Sequence, residues 1–268
     1  MTPPPPIPDD VAVLSYPAPH VLHIAMNRPK RLNAITNSMS HTLAAIFDWF
    51  EAEPELRVAV FGSTSRRAWC VGADLGEWSP EKSFTMPRDG VAGLSKRITK
   101  KPVIAAINGF AVGAGAELAL GADLLVVGET ATLGFPEAKR GTTVMAGGVH
   151  KLVRVVGHYK AAELVLTGRD IPAAEALELK LVNFVVADDE VEARALALAV
   201  EIAGNSPDSV QCGLYGIRLT NEVASVTQAG VLFADSAGMR AVNHGENIKE
   251  GIKAFQEKRA PVWRPSKL

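Results

Sequence analysis

The sequence predicts an α/β fold with mostly parallel strands, closed by a helical C-terminal part. Three observations predict it. Short apolar runs at 20–26, 58–62, 103–107 and 123–127 have the length of buried strands, and helical or loop-rich stretches separate them. From residue 173 onward the pattern turns helical, apart from 182–186. Pro207 marks a joint, and the chain beyond it is too short to enclose much core of its own.

The elements follow in order. The opening proline run reads as an extended, mobile tail over 1–9. Residues 11–14 and 20–26 read as strands joined by a turn at 17–19. A helix is predicted over 36–53, capped by Thr36 or Asn37, with Leu43, Ile46, Phe47 and Phe50 on one face. Strand 58–62 follows, and then a loop-rich stretch at 63–90 carrying Ser, Gly and Pro. A helix over 91–98 leads to strand 103–107. A helix at about 114–121, strand 123–127 and an extended piece at 131–133 come next. Further helices are predicted at 190–203, 209–218, 222–243 and 246–258. The domain division is therefore the tail 1–9, a core 10–206, a helical region 207–263 suited to oligomer contacts, and a short tail 264–268.

Composition removes several function classes. Apolar residues make up 47% of the chain, enough for a sizeable core. The net charge is −1 with no basic block, so nucleic acid is not an expected partner. Cys70 and Cys212 stand far apart without metal-ligand neighbours, which points to free thiols in a reducing compartment. The histidines form no HExxH pattern, and no metal is expected; His20 and His23 read as surface or packing residues. The apolar stretch 103–127 is long enough to span a bilayer, but it holds Asn108, Glu117, Asp123 and four glycines and breaks into strand, turn, helix and strand. No membrane association is expected, and the proline-rich start is not a secretory signal.

The chemistry is carried by two glutamates. Glu117 follows the glycine turn Gly113, Ala114, Gly115, and Glu137 follows Gly134, Phe135, Pro136. A carboxylate is costly to bury unless it is paired or its pKa is shifted. Two of them beside glycine turns suggest an acid/base site in a dry pocket. The dinucleotide fingerprint fails, because Leu118 stands at its third glycine and residues 108–112 separate the turn from the strand. Walker and serine-elbow patterns are absent. A small-residue turn entering a helix instead presents unpaired N–H groups. A second such turn lies at Gly72, Ala73 and Asp74. Two N–H donors converging on one oxygen stabilise an enolate formed from a thioester carbonyl. Each turn alone is equally well explained by close packing.

Several segments in sequence order resemble the crotonase family, the enoyl-CoA hydratase/isomerase superfamily. They are NRPKRLNA (27–34), WCVGADL (69–75), KPVIAAING (101–109), GAGAELA (113–119), LTGR (166–169) with AAEA (173–176) and LVN (181–183), and AFQEKR (254–259). The resemblance covers about residues 10–262 and implies a ββα spiral core with a C-terminal helical trimerisation region. It places the oxyanion hole at the N–H groups of Ala73 and Ala114 and the two hydratase carboxylates at Glu117 and Glu137. It places coenzyme A along Lys30, Arg31 and Leu32 and along Ala73, Asp74 and Leu75. Phe255 and Lys258 would reach that site from the C-terminal helix, in a neighbouring subunit of a homotrimer or dimer of trimers. The implied partner is an acyl-CoA thioester, with no cofactor beyond the coenzyme A of the substrate. Taken alone, Lys30, Arg31 and Lys258 read as solvated surface charges.

The chain departs from the family pattern at three places. After Glu137, residues 141–148 (GTTVMAGG) replace a more glycine- and proline-rich hydratase loop. Ala114 replaces the usual middle glycine of the oxyanion turn, which requires a backbone angle that is not glycine-like. Met145 stands where the dienoyl-CoA isomerase branch carries an aspartate, and it puts bulk beside the acyl pocket. The activity implied is hydration of a 2-enoyl-CoA to a 3-hydroxyacyl-CoA. The alternatives are an isomerase or other crotonase activity on an unusual acyl group, a non-catalytic acyl-CoA-binding scaffold, and an RNA-binding relative. The last wants a basic patch, and helix 36–53 has no Lys or Arg. Finally, Ser266, Lys267 and Leu268 form a peroxisomal import signal if the source is eukaryotic, with the import receptor as a further partner. Otherwise the expected location is cytoplasmic.

Overall fold

The structure is a computed structural model that describes residues 1–77 and 85–268. The loop predicted at 63–90 therefore lies partly outside the described residues. Strands β1 (Ala12–Ala18) and β2 (Val21–Met26) form an antiparallel hairpin. From β2 the large sheet continues in parallel through β3 (Val58–Ser63), β5 (Val103–Ile107), β7 (Leu124–Gly128) and β10 (Phe184–Val186). A second sheet holds β4 (Ala68–Cys70), β6 (Phe110–Val112), β8 (Thr132–Gly134) and β9 (Asp170–Pro172), of which the first three run parallel.

The chain passes repeatedly from the large sheet to the small one. β3 leads to β4, β5 to β6 and then to helix α2 (Ala114–Ala119), and β7 to β8 and a 3-10 turn at Pro136–Arg140. This is the expected spiral. Its small-sheet strands are only three residues long, too short for an alternating pattern to stand out in the sequence.

Both faces of the large sheet are buried, which is why its strands read as unbroken apolar runs. Leu22, Ile24, Ala59, Phe61, Ala105 and Ile107 face the main core with helix α1 (Asn37–Ala52). The alternate residues Val21, Val58, Val60, Ile104 and Val126 face helix α5 (Val191–Ala203). The hydroxyl of Thr36 accepts from the Met39 N–H at 3.1 Å and caps α1. That helix buries Met39, Leu43, Ile46, Phe47 and Phe50 completely or nearly so, each worth about 1.5–3 kcal/mol of apolar transfer. Phe61 meets both Phe47 and Trp69 edge-on.

Three expectations about the helices change. The helix expected at 91–98 is only a 3-10 turn at Val91–Gly93, with Ala92 at positive φ. Helix α3 (Gly148–Thr167), kinked at Gly157, was not anticipated. Helix α4 (Ala173–Glu178) then leads to β10. The single helix expected at 222–243 is three pieces: the end of α6 (Pro207–Glu222), α7 (Val226–Ala234) and α8 (Ala237–His244). Ser225 and Ser236 each accept from a backbone N–H three residues on, so each starts a new helix. Helix α9 (Glu246–Glu257) follows.

Both tails lie against the molecule. The Thr2 N–H and hydroxyl donate to Glu53 at 2.6 and 2.8 Å, and Ile7 packs on the core. The C-terminal tail is docked: the Ser266 hydroxyl donates to Asp208 at 2.6 Å, and Ser266 and Leu268 are half-buried. His20 turns the first hairpin at positive φ, and His23 is buried beside Ser15 and Glu192, so both have structural roles. No helix among the described residues is long and apolar enough to cross a membrane.

Candidate active site

The site sits where ligands collect on parallel sheets, beyond the carboxyl ends of the strands. β4 runs into the turn carrying Ala73, β6 into the turn carrying Ala114 and then Glu117, and β8 into the turn carrying Glu137. These four residues and Leu75 line one cavity of about 260 Å³, together with Met86, Val91, Val112, Arg140, Thr142, Thr143 and Met145.

The two N–H donors follow from backbone pairing. Ile35 donates to the Gly72 carbonyl at 2.8 Å and accepts from the Asp74 N–H at 2.9 Å. In a parallel pairing both neighbours of Ala73 are thereby turned toward Ile35, and the N–H of Ala73 points the other way. Ala114 is the first residue of α2, where the N–H has no helical partner. Gly113 before it has φ 59° and ψ −134°, a conformation open only to glycine. Ala114 itself is helical, so its methyl group is accommodated as the departure from the family pattern requires. The turns converge: a Cβ on Gly72 would lie 3.1 Å from the Ala114 nitrogen.

The carboxylates differ in their surroundings. Glu117 is 2% exposed, and its Oε2 accepts the Gly148 N–H at 2.8 Å. Burial pushes its pKa above the ordinary value, against the pull of that bond. Glu137 is 8% exposed, and neither of its buried oxygens has a hydrogen-bond partner among the described residues. Burial, and then the charge of Glu117, push its pKa up to about 7. The pair thus offers one anchored carboxyl and one that holds a proton near neutrality, as general acid/base work requires.

The remaining site candidates are distributed as follows. Lys30 and Arg31 are exposed on a 3-10 turn at Pro29–Arg31, and Leu32 ends it in the left-handed region. Asn33 anchors this turn, donating to the Ser63 hydroxyl and to the carbonyls of Ala68 and Trp69. Asp74 is engaged with Arg28 at 2.6 Å, which holds its carboxyl below the usual range. Phe255 is 86% exposed, Lys258 caps α9, and neither lines the cavity of its own chain. The sequence reading passed over Arg140, and it took Thr142, Thr143 and Gly148 only as part of a loop that departs from the family pattern. Gly148 opens the unanticipated α3; the helical spacing of Val149, Leu152, Val153 and Val156 was its signal.

Comparison with known proteins places the chain in a family. The family described as enoyl-CoA hydratase/isomerase matches residues 18–266. The chain is 40% identical over 260 residues to a mevalonyl-coenzyme A hydratase of Aspergillus fumigatus, covering 96% of each protein. It is 37% identical over 253 residues to a carnitinyl-CoA dehydratase of Salmonella typhi, covering 91% of this chain and 95% of the relative. The crystal structure of an enoyl-CoA hydratase from Mycobacterium tuberculosis superposes with a TM-score of 0.89 at 31% identity, covering 96% of this chain and all of the other. The chain belongs to the enoyl-CoA hydratase/isomerase family, within the crotonase superfamily.

Proposed function

We propose that the protein adds water to a 2-enoyl-CoA thioester, giving a 3-hydroxyacyl-CoA, and runs the same step in reverse. The observation that carries this reading is the pair of buried carboxyls, Glu117 and Glu137, on one largely apolar cavity with two converging N–H donors. The thioester carbonyl binds between the N–H groups of Ala73 and Ala114, which stabilise the enolate as charge develops. Water is held between the glutamates. Glu117 takes a proton as the oxygen adds to C3, and Glu137 delivers its proton to C2. A proton shuttle between C2 and C4 needs only one carboxyl, so the second one favours hydration over isomerisation. The named relatives include a hydratase and a dehydratase of different CoA thioesters, names for the two directions of one type of reaction.

Purified protein mixed with a short 2-enoyl-CoA is expected to bleach the absorbance of the conjugated thioester. A rise in that absorbance from a 3-enoyl-CoA, with the 2-enoyl-CoA untouched, would replace hydration by isomerisation. Binding without turnover of either would point to a scaffold.

We further propose that the protein assembles as a trimer or a dimer of trimers, through which Phe255 and Lys258 of a neighbouring subunit reach the coenzyme A. Helices α7 to α9 leave Val226, Val231, Leu232, Ile248, Ile252 and Phe255 exposed, apolar side chains that a partner subunit would cover. Light scattering at micromolar concentration is expected to give three or six times the chain mass; a monomer mass would end this proposal.

A further inference from the structure

Arg140 brings a cation to the wall of the cavity that holds the glutamates. It ends the 3-10 turn that begins beside Glu137 and lines the cavity with Thr142 and Thr143. Arg140 is exposed, and the lining of the same cavity includes the apolar Leu75, Met86, Val91 and Val112. The Arg140 guanidinium has one hydrogen bond, to the Lys139 carbonyl at 3.4 Å, and makes no ion pair among the described residues.

A cation on an apolar wall has a chemical consequence. An all-hydrocarbon acyl group reaching it would displace part of the hydration of this exposed guanidinium and return no hydrogen bond. A carboxylate would match the planar fork with two parallel bonds. Thr142 and Thr143 line the same cavity, and a hydroxyl is a further donor type that suits a carboxylate.

We infer that Arg140, with Thr142 and Thr143, recognises a carboxylate on the acyl group, so that the substrates are CoA thioesters of short dicarboxylic acids. The reaction named here rests on the hydratase reading; the binding preference does not. Two matched pairs of ligands test it. Glutaryl-CoA and pentanoyl-CoA are saturated thioesters of equal length, differing in the terminal carboxylate, and glutaconyl-CoA and pent-2-enoyl-CoA are their enoyl counterparts. By calorimetry the wild-type protein is expected to bind glutaryl-CoA at least about tenfold more tightly than pentanoyl-CoA. In Arg140→Gln that ratio is expected to fall to near one, and in Arg140→Lys, which keeps the charge without the fork, to an intermediate value. The ratio of kcat/KM between the enoyl pair is expected to move in step. Equal wild-type affinity for the saturated pair would overturn the inference. So would an equal loss of both ligands in Arg140→Gln, since that would make Arg140 a reader of the coenzyme A portion. If the binding preference and its loss are both seen but neither enoyl thioester is hydrated, the carboxylate site stands and the hydratase reading falls.

Discussion

Glu117→Gln and Glu137→Gln are each expected to lower the hydration kcat by about a hundredfold or more, ~2.7 kcal/mol of barrier. Neither change should disturb the fold. In Glu117→Gln the side-chain amide oxygen can still accept the Gly148 N–H that Glu117 now holds at 2.8 Å. At position 137 the amide replaces a carboxyl whose oxygens have no partner among the described residues. Burial raises the Glu137 pKa to about 7, above the ordinary 4.5, so ionising it costs the folded state stability progressively as pH rises from about 4.5 to about 7. Removing the charge removes that cost, and Glu137→Gln should be at least as stable as wild type above pH 7. The rate follows the same groups. Glu137 must be protonated, so kcat/KM should fall as pH rises through about 7. Glu117 must be ionised, and because its pKa is also raised, the acid limb should lie above the usual carboxylate range. Thermal melts and pH profiles of both variants check this. Near wild-type turnover in either variant would sink the two-carboxylate mechanism, and a wild-type rate flat from pH 7 to 9 would remove Glu137 as proton donor.

Much of the site was legible in the sequence because it is written in short segments. The turns at Gly72 and Gly113 and the carboxyls at Glu117 and Glu137 each lie within a few residues of a strand end, so local pattern identified them. The large sheet was legible for a related reason: burial on both faces turns β3, β5 and β7 into unbroken apolar runs. The small sheet was not legible, since β4, β6 and β9 are three residues each and owe their extension to neighbours brought up by the spiral. Helix α3 was missed because its glycines, at 147, 148 and 157, read as loop, whereas Gly148 is needed where a Cβ would meet the Glu117 side chain at 2.6 Å. Arg140 was missed because nothing local distinguishes it from a solvated surface arginine. Only the folded chain shows that it lines the same cavity as the glutamates.

Gly115→Ala is expected to be nearly as damaging as loss of a carboxyl, although alanine is the better helix former by about 1 kcal/mol. Gly115 lies in α2 with ordinary helical angles, so conformation is not the objection. Space is. A Cβ there would sit 2.3 Å from the Cys70 carbonyl oxygen and 2.9 Å from its carbonyl carbon. Both are backbone atoms and cannot swing aside, so α2 must move from the end of β4 by about 1 Å to restore ordinary contact. Those two elements carry the donor pair, with Cys70 three residues before Ala73 and Gly115 directly after Ala114. Separating them widens the gap that the thioester oxygen must bridge. Loss of one oxyanion donor, or a misplacement of about 1 Å, costs on the order of a hundredfold in kcat. Overpacking adds a stability loss of about 1–3 kcal/mol, which should appear as a lowered Tm. Because the donors act on the transition state more than on the ground state, kcat should fall further than the affinity for a saturated acyl-CoA weakens. A Gly115→Ala protein with wild-type Tm and wild-type kcat would show that the approach of α2 to β4 does not set the donor pair. A fall in saturated acyl-CoA affinity as large as the fall in kcat would show instead that the turns serve binding and not the charge that develops during reaction.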